Sequence, residues 1–137
     1  MPQERVAHAA AVNENSVMMI YGRSIKNGGL VEDERWFSYL NEGKEGESEW
    51  KKYKMNNKIS SGPRYGHSLS YIKPKFVLFG GNFNLSLSNE VWLVNINEEI
   101  GKWRKINFKS DLSPCPRFYH TCIKCNFGKI KEIYYFL

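Results

Sequence analysis

Three histidines have the clearest capacity for chemistry in this chain, because imidazole can bind a metal ion or act as a general base. His8 and His67 are 59 residues apart, and His67 and His120 are 53 residues apart. Each histidine comes just before a short run that starts with a small residue. A position that repeats in this way is expected to have the same local role each time. We expect a hydrogen bond that ties each connecting segment to its own unit, and we predict no metal site.

The cysteines are a second candidate cluster. The chain has three, Cys115, Cys122 and Cys125, and the last two form a CxxC pair. Such pairs bind zinc when they lie in a loop, but this pair falls within a predicted strand, where side chains three apart point to opposite faces. An odd number of cysteines clustered at one end is also not a disulfide framework. We therefore interpret the pair as two small strand residues.

Motifs for covalent or phosphate chemistry are absent from the sequence. There is no G-x-S-x-G nucleophile elbow, no P-loop, and no kinase or metallophosphatase signature. We accordingly predict a chain that is not an enzyme, has no catalytic residue and carries no cofactor.

Short apolar strands are the elements that must position these residues. Runs at Ser68–Ile72, Phe76–Phe79, Val91–Val94 and Trp103–Ile106 are rich in β-branched and aromatic residues and are bounded by Gly, Pro and Asn. Runs of this kind are typical of strands, and four of them joined by short turns form an antiparallel meander. Further strands are expected at Ala7–Val12, Val17–Tyr21, Trp36–Leu40, Trp50–Lys54, Thr121–Cys125 and Ile130–Leu137.

Tryptophans repeat together with the histidines. Trp36 and Trp92 are 56 residues apart, and Trp50 and Trp103 are 53 apart. Landmarks that recur in one order at a common offset indicate a unit copied along the chain. A period near 50 residues is typical of kelch arrays.

The middle unit resembles the kelch repeat in its residues as well. It opens with Arg64, Gly66 and His67, its second strand ends in Gly80-Gly81, and the segment Asn89–Leu93 follows. The other units depart from this pattern. Unit one has Tyr21-Gly22 in place of the double glycine, and unit three has Tyr119 where the family usually has glycine.

This resemblance implies an all-β chain, a partial kelch-type β-propeller made of four-stranded antiparallel blades. Its blade-like units are 2–54 (unit one), 63–107 (unit two) and an incomplete 116–137 (unit three). Propellers close with 4–8 blades of about 50 residues, so 137 residues are expected to be part of a longer protein. Uncovered blade edges would then favour self-association.

Residues at repeated positions are expected to build the scaffold. The arginines should bond the backbone of a neighbouring blade or an acid such as Glu90, and the tryptophans should pack between blades. The predicted scaffold positions are Arg5, His8, Trp36, Trp50, Arg64, Gly66, His67, Gly80, Gly81, Trp92, Trp103, Arg117 and His120.

Charge and hydropathy bear on whether the chain binds nucleic acid, enters a membrane or is secreted. The formal net charge is +6, but the lysines are spread over turns and glutamates are interleaved with them at 42–49 and 98–99. This distribution argues against a nucleic-acid surface. No segment has the roughly 20 apolar residues that span a bilayer, and the N-terminus lacks the apolar core of a signal peptide. We expect a cytoplasmic protein without membrane contact, with the nucleus also open.

The kelch resemblance implies recognition of protein partners through loops on one face. Those loops are 23–32, 55–62, 82–88 and 109–115, since loops held on a rigid scaffold carry binding. An exposed Phe and two Leu in an otherwise polar loop would be an anchor, the alternative being that Phe83 or Leu85 folds back onto the blade. The predicted partner-binding residues are Asn82, Phe83, Asn84, Leu85, Leu87, Arg23 and Lys26. The alternative is a regulatory kelch part of a larger enzyme, such as a serine/threonine phosphatase.

Overall fold

The computed structural model describes residues 1–31, 34–39, 49–54, 59–95, 102–109, 113–127 and 130–136. Side chains are described in these ranges except at 34, 54, 124–127 and 130–136. The described ranges contain strands and no helix, so the chain is all-β, as predicted. The strands in chain order are β1 (Arg5–Val6), β2 (Ala9–Val12), β3 (Ser16–Ile20), β4 (Arg23–Ser24), β5 (Glu34–Tyr39), β6 (Trp50–Lys54), β7 (Ser68–Ile72), β8 (Lys75–Phe79), β9 (Asn82–Phe83), β10 (Ser86–Leu87), β11 (Val91–Asn95), β12 (Trp103–Ile106), β13 (Cys122–Phe127) and β14 (Ile130–Phe136).

Two four-stranded antiparallel sheets form most of the molecule. Strands β2, β3, β5 and β6 follow one another across the first sheet, and β7, β8, β11 and β12 do so across the second. Both sheets are therefore meanders, as the spacing of the apolar runs predicts. Strands β13 and β14 pair with each other, and none of these sheets closes into a barrel.

Several strands begin or end one or two residues away from the predicted bounds, and backbone conformation explains two of these differences. Strand β2 begins at Ala9 because Ala7 has a φ of 53°, and β3 ends at Ile20 because Tyr21 has a φ of 56°. A positive φ is incompatible with extended backbone. The hairpin between β2 and β3 is closed by Asn13, whose side-chain oxygen accepts hydrogen bonds from the backbone N–H groups of Asn15 and Ser16.

The main core lies between the two four-stranded sheets. Phe37 of the first sheet meets Phe76 of the second with ring centroids 6.4 Å apart. Trp92 and Trp103 belong to the same buried cluster, and their rings contact edge to face. The members of this cluster are Met18, Ile20, Tyr21, Phe37, Leu69, Phe76, Leu78, Trp92, Val94 and Trp103.

Strand β8 is buried on both faces, which explains its uninterrupted apolar sequence. Phe76 and Leu78 face the main core, whereas Val77 and Phe79 belong to a second cluster with Val91. The first strands of the three units lie side by side, since β7 contacts β2 on one side and β13 on the other. This arrangement brings the starts of all three units to one edge of the molecule.

Within the part of the chain that the structure describes, no helix is long and apolar enough to cross a membrane.

Candidate functional site

Arg64 is the centre of the edge at which the units start. Its guanidinium is fully buried and donates hydrogen bonds to the carbonyl of Gly80 at 2.9 Å, to the carbonyl of Ser61, and to Glu90 Oε2 at 3.1 Å. Its Nε also donates to the carbonyl of Gly62. The arginine thereby joins the connector before it, the loop after β8 and the start of β11. The contact with Glu90 is the one that the sequence analysis named.

Glu90 stays ionised at this position. Burial works to raise the pKa of the Glu90 carboxyl, but hydrogen bonds from Lys105, Trp92 and Arg64 outweigh it and lower the pKa to about 2. Burial also lowers the pKa of Arg64, and the bond to Glu90 opposes that shift. A buried charge is tolerated only when it is paired and hydrogen-bonded, and this pair meets both conditions.

The other two repeated arginines make part of the same contact set. Arg5 Nη1 donates to the carbonyl of Tyr21 at 3.1 Å, which is the position in unit one that Gly80 occupies in unit two. Arg117 Nε donates to the carbonyl two residues before it, Cys115, as Arg5 and Arg64 do to theirs. These backbone acceptors lie in the arginine's own unit or in the connector before it, so these bonds differ from the predicted bond to a neighbouring blade.

Backbone hydrogen bonds run from unit to unit at this edge. Gly66 N donates to the carbonyl of Ala7 at 2.9 Å, and Tyr119 N donates to the carbonyl of Gly66 at 2.7 Å. These residues occupy equivalent positions, and their φ values are 53° for Ala7, 65° for Gly66 and 52° for Tyr119. A second set of bonds joins Gly22 N to the carbonyl of Arg64 and Gly81 N to the carbonyl of Arg117. Adjacent units are thus held in one repeated geometry.

The second glycine of the pair after β8 is required by a close approach. A Cβ on Gly81, whose φ is 90°, would lie 2.9 Å from His67 Cβ and 3.0 Å from the carbonyl oxygen of Tyr65. Gly22 meets the equivalent atoms of unit one at similar distances. Only glycine fits both the conformation and the space.

The histidines do not follow the predicted pattern of bonds within each unit. His120 Nε2 lies 2.8 Å from the hydroxyl of Ser68, which belongs to the preceding unit. Both ring nitrogens of His67 are buried without a hydrogen-bond partner among the described residues. His8 bonds the backbone of Arg5 and alone matches the prediction. The prediction is wrong for His67 and His120 because the side chains point between units.

His67 is held in its neutral form. Burial, followed by the charges of Arg64, His120 and His8, lowers the pKa of His67 to about 3. Tyr21 contacts the imidazole edge to face, with ring centroids 5.8 Å apart. In the described ranges, no group of three or more His, Cys, Asp or Glu residues is arranged to hold a metal ion.

Two of the three cysteine side chains are described, and both thiols are free. Cys122 is half-buried and its sulfur accepts a hydrogen bond from the hydroxyl of Ser70 at 3.2 Å, while Cys115 is exposed. The side chain of Cys125 lies outside the described residues, so the geometry of the CxxC pair is open.

The loop after β8 is a small hairpin rather than an irregular segment. Strands β9 and β10 pair, and Asn84 and Leu85 form the turn with φ values of 49° and 64°. Two consecutive positive φ values are typical of the tight turns that suit hairpins. Leu85 is 97% exposed at the tip, and Leu87 is also exposed. The structure therefore presents the two leucines of the predicted anchor.

Phe83 does not join this exposed anchor. Its ring lies 5.4 Å from the guanidinium carbon of Arg64 and covers Gly62, where a Cβ would come within 2.5 Å of the ring. The ring is half-buried over the Arg64 contacts. The prediction of an exposed Phe83 is wrong because the short hairpin turns this ring back onto the connector.

The loop after β3 directs Arg23 toward the next unit. Arg23 Nε donates to the carbonyl of Gly28 at 2.9 Å, and its guanidinium carbon lies 5.1 Å from the ring centroid of Tyr65. Lys26 is exposed in the same loop. Within the predicted loops, residues 32, 55–58 and 110–112 lie outside the described residues.

An aromatic cluster that the sequence analysis missed lies beside Arg23. The ring of Tyr65 lies 6.3 Å from that of Phe118 and 6.2 Å from that of Tyr119. Tyr65 also forms a β-bridge with Asn82, the first residue of the β9–β10 hairpin. The two loops and the cluster therefore share one face. The available signal was the aromatic residue that follows the repeated arginine in units two and three.

Comparisons with known proteins give the fold and no family. No protein-family model matches the chain. No curated protein matches it. Among solved structures, the chain is similar to YjhT, with a TM-score of 0.64 and 16% sequence identity over 90% of this chain and 32% of that chain. At this identity the likeness shows the fold alone.

Proposed function

We propose that this chain is part of a kelch-type β-propeller that binds protein partners through the face formed by the loops after β3 and β8. The observation that carries the proposal is the construction of this face. Backbone hydrogen bonds between units hold the two loops beside one another, and the β9–β10 hairpin presents Leu85 almost fully to solvent. A rigid scaffold with exposed apolar loop residues is suited to recognition at little ordering cost.

The repeated geometry of the edge supports a scaffold role for the repeated residues. Arg64 and Glu90 are hydrogen-bonded to neighbouring residues. Gly81 has no room for a side chain. The partner-binding residues of this proposal are accordingly the outward ones, Leu85 and Leu87 with Arg23 and Lys26. The chain spans 32% of the length of YjhT, so the activity of a complete protein is a separate proposal.

Substitution of Leu85 tests the proposed face. Partners are identified by co-purification and mass spectrometry, and the strongest is purified and titrated calorimetrically against the chain. We expect Leu85→Ser to weaken binding at least about tenfold, which corresponds to about 1.4 kcal/mol, with an unchanged unfolding midpoint.

Val12→Ser is the matched control. Val12 is also an exposed apolar residue, but it lies at the β2–β3 hairpin, on the edge opposite to the unit starts. Binding that is insensitive to Leu85→Ser, or equally sensitive to Val12→Ser, would contradict the proposed face.

A further inference from the structure

The aromatic cluster next to Arg23 forms a surface that the proposed function does not yet include. We define this aromatic–arginine patch as Arg23, Tyr65, Phe118 and Tyr119. The rings of Phe118 and Tyr119 lie 4.9 Å apart, and Tyr65 lies between them and the Arg23 guanidinium. Phe118 and Tyr119 are both exposed. The patch therefore joins all three units in one continuous surface.

Tyr119 is the most informative residue of the patch. Its φ of 52° is unfavourable for a bulky side chain, yet the residue is 65% exposed. Glycine takes the equivalent position in unit two without strain, at Gly66. The fold therefore requires this backbone conformation but does not require a tyrosine ring.

Tyr21 shows what a structural tyrosine looks like in a similar conformation. Its φ is 56°, but its side chain is fully buried, and its hydroxyl lies 2.9 Å from that of Ser61. The packing of Tyr21 offsets the cost of its backbone. The exposed ring of Tyr119 gains no comparable burial, and strained residues of this kind cluster at ligand-binding sites.

The charges around the patch select the chemistry of a ligand. Arg23 is exposed, and the hydrogen bond from its Nε to the carbonyl of Gly28 fixes the direction of the guanidinium. Lys26 lies in the same loop. Of the nearby carboxylates that the structure describes, Glu90 is taken by Arg64, Lys105 and Trp92. Glu4 lies next to the loop through the bond from Ile25 N to its carbonyl. The described residues of this region thus supply two cationic side chains, Arg23 and Lys26, and one carboxylate not held by Arg64, that of Glu4, in a chain with a net charge of +6.

We propose that the aromatic–arginine patch binds an acidic peptide segment that carries one aromatic side chain. The peptide ring packs on Tyr119 and Phe118, and a carboxylate beside it accepts hydrogen bonds from Arg23. This inference rests on the proposed function in one respect, that the partner is a protein. It adds the site and the chemical class of the segment.

A defined probe makes the proposal testable without a known partner. The probe is a fluorescein-labelled ten-residue peptide with a single Trp among Asp, Glu, Gly and Ser residues, titrated with the purified 137-residue chain by fluorescence anisotropy. Two matched peptides replace the Trp by Ser, or the Asp and Glu by Asn and Gln. We expect saturable binding of the first peptide and at least about tenfold weaker binding of both matched peptides.

Two variants separate recognition from folding. Tyr119→Gly is expected to weaken peptide binding at least about tenfold while the urea unfolding midpoint stays equal or rises, because glycine relieves the positive φ. Arg23→Gln, at an exposed position, is expected to weaken binding of the acidic peptide and to bind the Asn/Gln peptide as the unaltered chain does. Val12→Ser should change neither quantity.

Several outcomes would overturn this inference. They are unaltered peptide binding by Tyr119→Gly, a lower unfolding midpoint in that variant, or tighter patch-dependent binding of a ten-nucleotide oligothymidylate, since aromatic platforms with cations also bind single strands. If the peptide does not bind the patch but a protein partner binds in a Leu85-dependent way, the proposed function stands without this inference. If the peptide binds the patch and no partner depends on Leu85, recognition is restricted to the patch.

Discussion

In units one and two, equivalent arginines donate to different residue types that have the same backbone conformation. In unit two, Arg64 donates to the carbonyl of Gly80, and in unit one Arg5 donates to that of Tyr21. The φ values of these acceptor residues are 66° and 56°. Gly80 and Tyr21 thus accept the same bond in the same backbone conformation, and glycine is only the least costly residue to adopt it.

A second difference between the units concerns the histidines. His120 of unit three bonds Ser68, the first strand residue of unit two. The equivalent neighbour of His67 is Ala9, the first strand residue of unit one, which has no hydroxyl. This replacement accounts for one of the two ring nitrogens of His67 that are buried without a hydrogen-bond partner among the described residues. The repeat keeps the geometry of the site while the chemistry varies.

Among the substitutions that test this difference between units, replacement of Arg64 should change the free energy of unfolding most. We expect Arg64→Met to lower the free energy of unfolding by about 3–5 kcal/mol, because the buried carbonyls of Gly80 and Ser61 lose their donor. Urea unfolding followed by tryptophan fluorescence measures the loss. Arg104→Met, at an exposed position of β12, is the control and should cost less than about 0.5 kcal/mol.

Arg5→Met then tests whether the two units are equivalent. A loss of similar size is expected if the arginine has one role in both units. If Arg64→Met strongly lowers the free energy of unfolding and Arg5→Met does not, the two arginines do not have equivalent roles.

Burial of neutral His67 should make the free energy of unfolding depend on pH. The folded pKa of His67 is about 3 and its ordinary value is 6.5, so below pH 6.5 the unfolded chain gains a proton that the folded chain does not. The free energy of unfolding therefore falls between pH 6.5 and about 3, with a slope of up to about 1.4 kcal/mol per pH unit from this group.

His67→Leu isolates this contribution. The variant should flatten the profile between pH 6.5 and 4.5, since Glu90, with a pKa of about 2 in place of 4.5, adds its own loss only below that range. An unchanged slope would assign the pH dependence to other groups, with His8→Leu as the comparison.

The smallest effect is expected from restoring the missing hydroxyl of unit one. Ala9→Ser should raise the free energy of unfolding by up to about 1 kcal/mol, because His67 gains the partner that His120 has. Ala10→Ser, on the exposed face of the same strand, should change nothing. Equal changes in both variants would show that the units differ here by more than one side chain.

The strands were predictable because their signals are local. Apolar runs and turn residues located Ser68–Ile72, Trp50–Lys54 and Trp103–Ile106 at their observed bounds. The errors at β2 and β3 come from Ala7 and Tyr21, which give no local sign of a positive φ. Bonds to another unit impose that conformation in the case of Ala7.

The face could be predicted only in part. The exposure of Leu85 follows from a polar loop between two strands, whereas the burial of Phe83 depends on Gly62, a residue of the preceding connector. The aromatic–arginine patch combines residues of three units, and no spacing along the chain relates Arg23 to Tyr119.

The sequence by itself determined the all-β class, the four-strand meanders and the positions that repeat, since these depend on contacts between neighbours along the chain. Only the tertiary structure decided which repeated side chains find partners and which rings face solvent. Those outcomes depend on the residue that an adjacent unit happens to place opposite each one, such as Ala9 or Ser68 opposite a histidine, and that pairing is set by packing across distances of more than 50 residues.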